Sequence, residues 1–232
     1  MIKKLIGLEK KLGLKFKNKD LFKQALVHRS YLNEAQEKNL QSNERLEFLG
    51  DAVLELWTTE KLFHHFPHLT EGVLTNIRAA LVCTENLAQI AQKLSLGKHL
   101  YLSRGESKNG GQQNPSLLAN TFEAITGAIY LDQGWLRVNR FLDRCLLAKL
   151  LKLGKRGDIK DAKTKLQEII QAKRKLTPRY RIIKEEGPDH AKIFTAAVYF
   201  GNKKIALGKG NSKQEAEETA AQKALILIKN QV

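Results

Sequence analysis

The 232-residue chain is short of cysteine, of long apolar runs and of acids to balance its bases. Its two cysteines, Cys83 and Cys145, lie far apart, each inside an apolar stretch. That excludes a disulfide framework and a cysteine zinc site, leaves both as small core residues, and suits a reducing compartment. No segment approaches the roughly 20 consecutive apolar residues of a membrane-spanning helix. The opening MIKKLIGLEKKLGLKF is broken by lysines every few residues and lacks the apolar centre of a secretory signal. A soluble, cytoplasmic protein is therefore expected. Asp and Glu number 24 against 40 Lys and Arg, a formal net charge of +16. A surplus of that size points to a polyanionic partner, either nucleic acid or an anionic membrane surface, although a basic protein with no such partner would share it. Apolar residues are present in ordinary measure, 42% against 28% charged, so a real core can form. The length allows one large domain or two modest ones.

Strand-like alternation is missing from the first two thirds. Apolar residues recur there at three and four, giving candidate helices over 3–12, 20–34, 43–65, 71–93, 115–131 and 134–152. The stretch GESKNGGQQNP, 105–115, has no core-forming residues and is expected to be an exposed, mobile loop. The apolar pattern stops at 154–160, where Gly154 and Gly157 stand among charges, and this is read as a linker. After it the character changes. A helix over 161–173 precedes three strands, 179–185, 192–200 and 203–209, with Gly201-Asn202 as a tight hairpin turn. A last helix, 212–228, takes Ser212 or Asn211 as its N-cap. The expected architecture is a mainly α domain over 1–153 and a small α+β domain of order α-β-β-β-α over 161–230. From Gly154 onward there are 18 basic and 9 acidic residues, against 22 and 15 before it, so the smaller domain carries more than twice the net charge per residue. A nucleic-acid contact is to be sought there first.

The sharpest pattern is NERLEFLGDAVLEL, residues 43–56. Glu44, Glu47 and Asp51 are spaced i, i+3, i+7, so they line one face of a helix, and Glu55 extends the line by a turn. A solvated polar face is one explanation. Such faces usually alternate sign at i, i+4, whereas three acids here face one another without an interposed Lys. The rest of the helix is apolar. A hard divalent cation such as Mg²⁺, which takes oxygen ligands, would relieve the repulsion. A second helix, SLLANTFEAITGAIYLD, offers Asn120 and Glu123 at i, i+3, with small Ala124 and Gly127 to let another helix come close. An isolated Asn/Glu pair is more often structural, but beside the first strip it could complete an oxygen cage.

These stretches resemble ribonuclease III in its bacterial two-domain form. The similarity runs through 43–54, through ALVHRSYLNE (25–34), EGVLTNIRAALV (71–82) and the 120–132 segment in order. The tail resembles a double-stranded RNA-binding domain, including GPDHAKIF (187–194) and GKGNSKQEAEETAAQKAL (208–225). The resemblance covers nearly the whole chain. It implies a Mg²⁺-dependent endoribonuclease, with Mn²⁺ as a substitute, that hydrolyses phosphodiester bonds in double-stranded RNA and leaves 5′-phosphate and 3′-hydroxyl ends. It implies a homodimer in which each subunit cuts one strand, and substrates among ribosomal RNA precursors and structured messages; Phe48, apolar beside the acid strip, is read either as a dimer contact or as ordinary core packing. It makes Glu47, Asp51 and Glu123 metal-site carboxylates, Asp51 and Glu123 the catalytic pair, and Glu44 and Glu71 supporting acids. Asn120 stands where the family usually has Asp: its carbonyl can ligate a metal but brings no charge. RNA contacts are expected from Gln167 and Gln171, spaced i, i+4, from His190 between the first two strands, and from Ser212 and Lys213 at the start of the last helix. Gln214 and Glu217 stand where such domains often have Lys.

Two other functions stay open on these residues. A non-catalytic double-stranded RNA-binding protein would keep the basic tail, and Asn120 favours it. A basic membrane-surface protein would need a long cationic amphipathic helix, which strands and a hairpin in the tail argue against.

Overall fold

The computed structural model describes residues 2–37, 39–188 and 192–229, so the expected RNA contact His190 lies outside the described residues. Among these the helices are α1 (Ile2–Leu12), α2 (Lys19–Gln24), α3 (Glu44–His65), α4 (Glu71–Val82), α5 (Thr84–Lys93), α6 (Arg104–Lys108), α7 (Pro115–Gln133), α8 (Trp135–Arg174) and α9 (Lys213–Lys229). The strands β1 (Arg179–Glu186), β2 (Ile193–Phe200) and β3 (Lys203–Gly210) stand between α8 and α9. The chain divides into two compact units, one of Met1–Pro67 with Thr75–Lys152 and one of His68–Leu74 with Leu153–Val232. The first is helical and the second α+β, as the fold class predicts.

In the first unit α7 is the central helix. Its middle residues, from Leu118 to Ile129, are almost all buried. Asn114 caps its start by accepting from the backbone N–H of Ser116 and Leu117, Pro115 stands at the first helical position, and Gly134 at φ +76° ends it. Among the described residues, α7 packs extensively against α3. Trp57 of α3 is fully buried, and its Nε1 donates to Asn139 Oδ1 at 3.0 Å and Asp143 Oδ1 at 3.2 Å.

The second unit is an antiparallel sheet of order β1-β2-β3, with α9 packed on it. Gly201, at φ +60°, turns the β2–β3 hairpin. Ala162, Leu166 and Ile170 from the end of α8 share one core with Val198, Phe200 and Ala206 of the sheet and with Ala220, Ala221 and Ala224 of α9. Ser212 caps α9, its Oγ accepting from Glu215 N at 3.1 Å.

Four boundaries differ from the sequence expectation. The stretch 154–160 is helical, and α8 runs from Trp135 through it to Arg174. Its glycines weaken a helix by about 1 kcal/mol each, which Lys, Arg and Leu neighbours outweigh where no Pro intervenes. Helix 20–34 breaks because residues 26–28 are taken by tertiary pairing: Tyr101 N donates to Leu26 O, His28 N to Tyr101 O, and Val27 bridges Tyr101. A 3-10 turn, Arg29–Asn33, follows. Helix 71–93 divides at Cys83, which is extended. The loop 105–115 holds α6 and a 3-10 turn, Gly111–Gln113, with Gly111 buried. Both cysteines are free and half-buried.

Candidate active site at a glycine crossing

The acid strip stands where α3 and α7 touch backbone to backbone. Gly50 and Gly127 face each other there. A Cβ built on Gly50 would lie 1.8 Å from Glu123 O, and one built on Gly127 would lie 2.3 Å from Leu46 O. Glycine at both positions therefore allows an approach that any side chain would prevent. Asp51 follows Gly50 directly, and Glu123 supplies the carbonyl that Gly50 abuts. Carboxylates on two helices are thus neighbours because the helix axes are unusually close.

The electrostatics show this adjacency. Burial pushes the Glu123 carboxyl up to about 7, with Asp51 and then Glu47 adding like-charge repulsion. Glu47 is raised by burial, by Glu44 and by Asp51, and is lowered in part by a hydrogen bond from the Asn120 side chain. A carboxylate only accepts, so the Asn120 amide nitrogen is the atom turned toward Glu47. Glu44 is held from outside the helix: Ser42 Oγ donates to its Oε2 at 2.9 Å, and Arg29 Nη1 lies 3.7 Å from its Oε1. Beside these groups is a cavity of about 300 Å³ lined by His28, Arg29, Glu44, Glu47, Asn120 and Thr121.

The structure therefore brings together Glu44, Glu47, Asp51, Asn120 and Glu123. Glu55, a turn further along α3, is exposed. Glu71 opens α4, is exposed, and falls in the second compact unit. Sequence reasoning missed Arg29 and Ser42, which come from the segment before α3, and Gly50, whose only signal was a glycine interrupting an otherwise apolar helix. The donor set suits a hard divalent cation, with carboxylate oxygens and one amide oxygen available. Among the described residues no three His, Cys, Asp or Glu side chains close on one point as a complete metal cage.

In the second unit Gln167 and Gln171 are exposed on α8. Lys213 Nζ pairs with Glu185 at 3.2 Å and lies over the Phe194 ring. The two departures are engaged internally: Gln214 donates to Glu218 at 2.7 Å, and Glu217 accepts from Lys163 at 2.9 Å.

Known proteins match both units. The family model described as Ribonuclease-III-like matches residues 18–150, and that described as Double-stranded RNA binding motif matches residues 162–228. The chain is 48% identical over 227 residues to Ribonuclease 3 of Carboxydothermus hydrogenoformans, covering 98% of this chain and 97% of that one. It is 46% identical over 218 residues to Ribonuclease 3 of Geobacillus kaustophilus, covering 94% and 88%. Among solved structures, the nuclease domain of ribonuclease III from Campylobacter jejuni is 43% identical with a TM-score of 0.56, over 61% of this chain and 92% of that one. A second structure of that domain, TM-score 0.54, 43% identical over 60% of this chain and 95% of that one, concerns a region involved in its dimer formation. The chain belongs to the ribonuclease III family of endoribonucleases, with a double-stranded RNA-binding domain in its last third.

Proposed function

We propose that the chain cuts double-stranded RNA by Mg²⁺-dependent hydrolysis, with Mn²⁺ able to substitute, leaving 5′-phosphate and 3′-hydroxyl ends. The observation that carries this reading is the juxtaposition of Glu47, Asp51 and Glu123 at the Gly50–Gly127 crossing. Asp51, Glu123, Glu47 and the Asn120 carbonyl would hold the cation. When bound, it would supply an activated water and a counter-charge for the leaving oxygen. The residues themselves do three things. Their negative charge holds cations next to an RNA backbone that they would otherwise repel. Asn120 orients Glu47 through its amide. Glu44, fixed by Ser42 and Arg29, lies at the cavity edge, where it would help place cation, water or RNA.

Gln167, Gln171 and His190 would read 2′-hydroxyls and base edges across the minor grooves of A-form RNA, with Ser212 and Lys213 on phosphate. Ribosomal RNA precursors and structured messages in the cytoplasm are the proposed substrates. Among the described residues no helix is long and apolar enough to cross a membrane.

A homodimer completes the reading. Phe48 is 82% exposed, and Leu56 and Phe63 are exposed on the same side of α3. Beside them a cavity of about 510 Å³ is lined by Leu49, Ala52, Val53, Leu56, Tyr130 and Trp135. An apolar patch of this kind marks an association surface, and the dimer-forming nuclease domain of the Campylobacter jejuni relative favours a second copy as its occupant. Phe48→Glu should shift sedimentation from dimer to monomer.

The test of the activity is cleavage of long duplex RNA with added Mg²⁺, with Asp51→Ala and Glu123→Ala alongside. Cleavage by the parent and none by either variant is expected. Binding without cutting by the parent chain would sink the proposal and leave a non-catalytic RNA-binding protein.

A further inference from the structure

A second charged cavity lies elsewhere in the first unit. Arg137, Arg140 and Arg144 recur at i, i+3 and i+7 near the start of α8, which places them on one face. With Gly13 and Phe141 they line a pocket of about 380 Å³ that shares no lining residue with the acid cluster. The end of α1 fixes two of the three. Arg144 Nη2 donates to Leu12 O at 2.6 Å, and Arg137 Nη2 to Gly13 O at 3.4 Å. These bonds satisfy helix-end carbonyls and leave most of each guanidinium unused, since each carries five N–H donors.

Three observations point to an anionic occupant. Arg137 Nε is buried with no acceptor, although buried donors are nearly always paired. Arg140 is exposed and, among the described residues, has no hydrogen-bond or ion-pair partner. The lining acid Asp143 is already engaged, its Oδ1 accepting from Lys61 Nζ at 2.8 Å and Trp57 Nε1 at 3.2 Å. Lys10 and Lys11 in the last turn of α1 add to the positive field. The pocket thus presents three guanidinium groups against one carboxylate, whose Oδ1 is already shared by Lys61 and Trp57, so donors outnumber acceptors. A phosphate group has oxygens enough to meet several guanidinium forks at once, whereas a single carboxylate can fill one such two-point contact and a chloride ion none.

We propose that this pocket binds a phosphate group held by Arg137, Arg140 and Arg144. The inference does not depend on the metal reading of the acid cluster. The phosphate can belong to a duplex RNA backbone or to a free polyphosphate, and two measurements on the full chain separate these sources. Inorganic pyrophosphate is titrated calorimetrically in the presence of EDTA, and duplex RNA binding is followed by fluorescence anisotropy across a salt series. The variants are Arg140→Glu, which disturbs no described contact, and Arg137→Met, which keeps the packed stem and removes the buried donor. Lys93→Glu, an exposed charge reversal at the end of α5, serves as the control.

Pyrophosphate affinity should fall at least about tenfold in both arginine variants and stay unchanged in Lys93→Glu. If RNA is the source, Arg140→Glu also lowers the slope of log affinity against log salt by about 1. If a free polyphosphate is the source, that slope is unchanged. Parent-like pyrophosphate affinity and RNA slope in both arginine variants overturns the proposal. So does an equal loss in Lys93→Glu, which would make the effect a general field and not a site.

Discussion

Alanine at position 50 sets two physical effects against each other at the place where α3 meets α7. Gly50 is in a helix interior, so on backbone propensity alone Gly50→Ala should stabilise by about 0.8–1.0 kcal/mol. Packing says the reverse. The new Cβ would stand 1.8 Å from Glu123 O and 2.5 Å from Glu123 C, whereas real Cβ atoms essentially never come within 3.0 Å of another heavy atom. The helices must therefore part by about 1.2 Å at this point, the difference between the two distances. The obstacle is backbone, which cannot rotate aside as a side chain can. Overpacking costs about 1–3 kcal/mol and sometimes more, and a backbone clash belongs at the upper end. Steric cost wins, with a net loss of about 2 kcal/mol. At about 2–4 °C per kcal/mol for a chain of this size, the melting temperature should fall by about 4–8 °C.

The displaced residue is Glu123, and its neighbour across the crossing is Asp51, so activity gives a second readout. A misplacement of about 1 Å in a catalytic arrangement can cost about 10²-fold in rate. Duplex RNA cleavage by Gly50→Ala should fall by about that factor at temperatures where the variant is fully folded. Gly7→Ala is the control: Gly7 is within α1, and nothing lies within 4 Å of its added Cβ. It should gain about 0.5–1 kcal/mol and keep full activity. Urea unfolding and single-turnover cleavage are the assays. A Gly50→Ala protein at least as stable as the parent, or one that is folded and fully active, would refute the reasoning.

Glu123 also sets a pH dependence. Its carboxyl lies near 7 when folded against an ordinary value of 4.5, so between those values the folded chain holds a proton that the unfolded chain has lost. Stability contributed by this group is therefore lost as pH rises from about 4.5 to about 7 and then levels off. Glu123→Gln should unfold at higher urea than the parent at pH 8, by about 1–2 kcal/mol after allowance for solvent screening, with the gap narrowing toward pH 4. Asn120→Asp should lower the Mg²⁺ needed for half-maximal cleavage, and an unchanged requirement would show that the neutral ligand is no handicap. Lys213→Ala should weaken duplex RNA binding and lower its salt slope by about 1, a result that anisotropy across a salt series would show or deny.

The acid strip was legible because helical periodicity is a local property. Glu44, Glu47 and Asp51 share a face by spacing alone, and so do Asn120 and Glu123. Which faces meet is a tertiary property. The spacing of small residues suggested that α7 could be approached closely at Gly127, but only the structure pairs Gly127 with Gly50. The Asn120–Glu47 hydrogen bond likewise depends on the axial register of two helices distant in sequence. Arg29 and Ser42 reach Glu44 from irregular segments, whose path is set by the Val27–Tyr101 bridge, a pairing without local signal. The α+β tail was legible for the opposite reason: its strands are short, alternate in character and are separated by turn residues. The helical state of 154–160 is not legible, because glycines among charges mark linkers and weak helices alike, although the division of the two units at Lys152/Leu153 falls beside the expected boundary.

The crossing also explains why an amide is tolerable at position 120. Burial is the larger cause of the upward displacement of Glu123 and Glu47, and repulsion between the closely approached carboxylates adds to it. A further carboxylate at 120 would add charge beside Glu47 and replace a donated hydrogen bond with repulsion. Asn120 reverses both effects: it leaves one charge fewer and lowers the Glu47 carboxyl through its N–H. The same exchange weakens the field that would attract a dication, because a cation bound among acids gains most where they repel most. Protons and divalent cations thus compete for one store of electrostatic strain, and the residue at 120 sets its size. Asn120→Asp should therefore melt at a lower temperature than the parent in EDTA and gain a larger thermal shift on adding Mg²⁺. If both quantities moved in the same direction, the residue would act through helix geometry and not through charge.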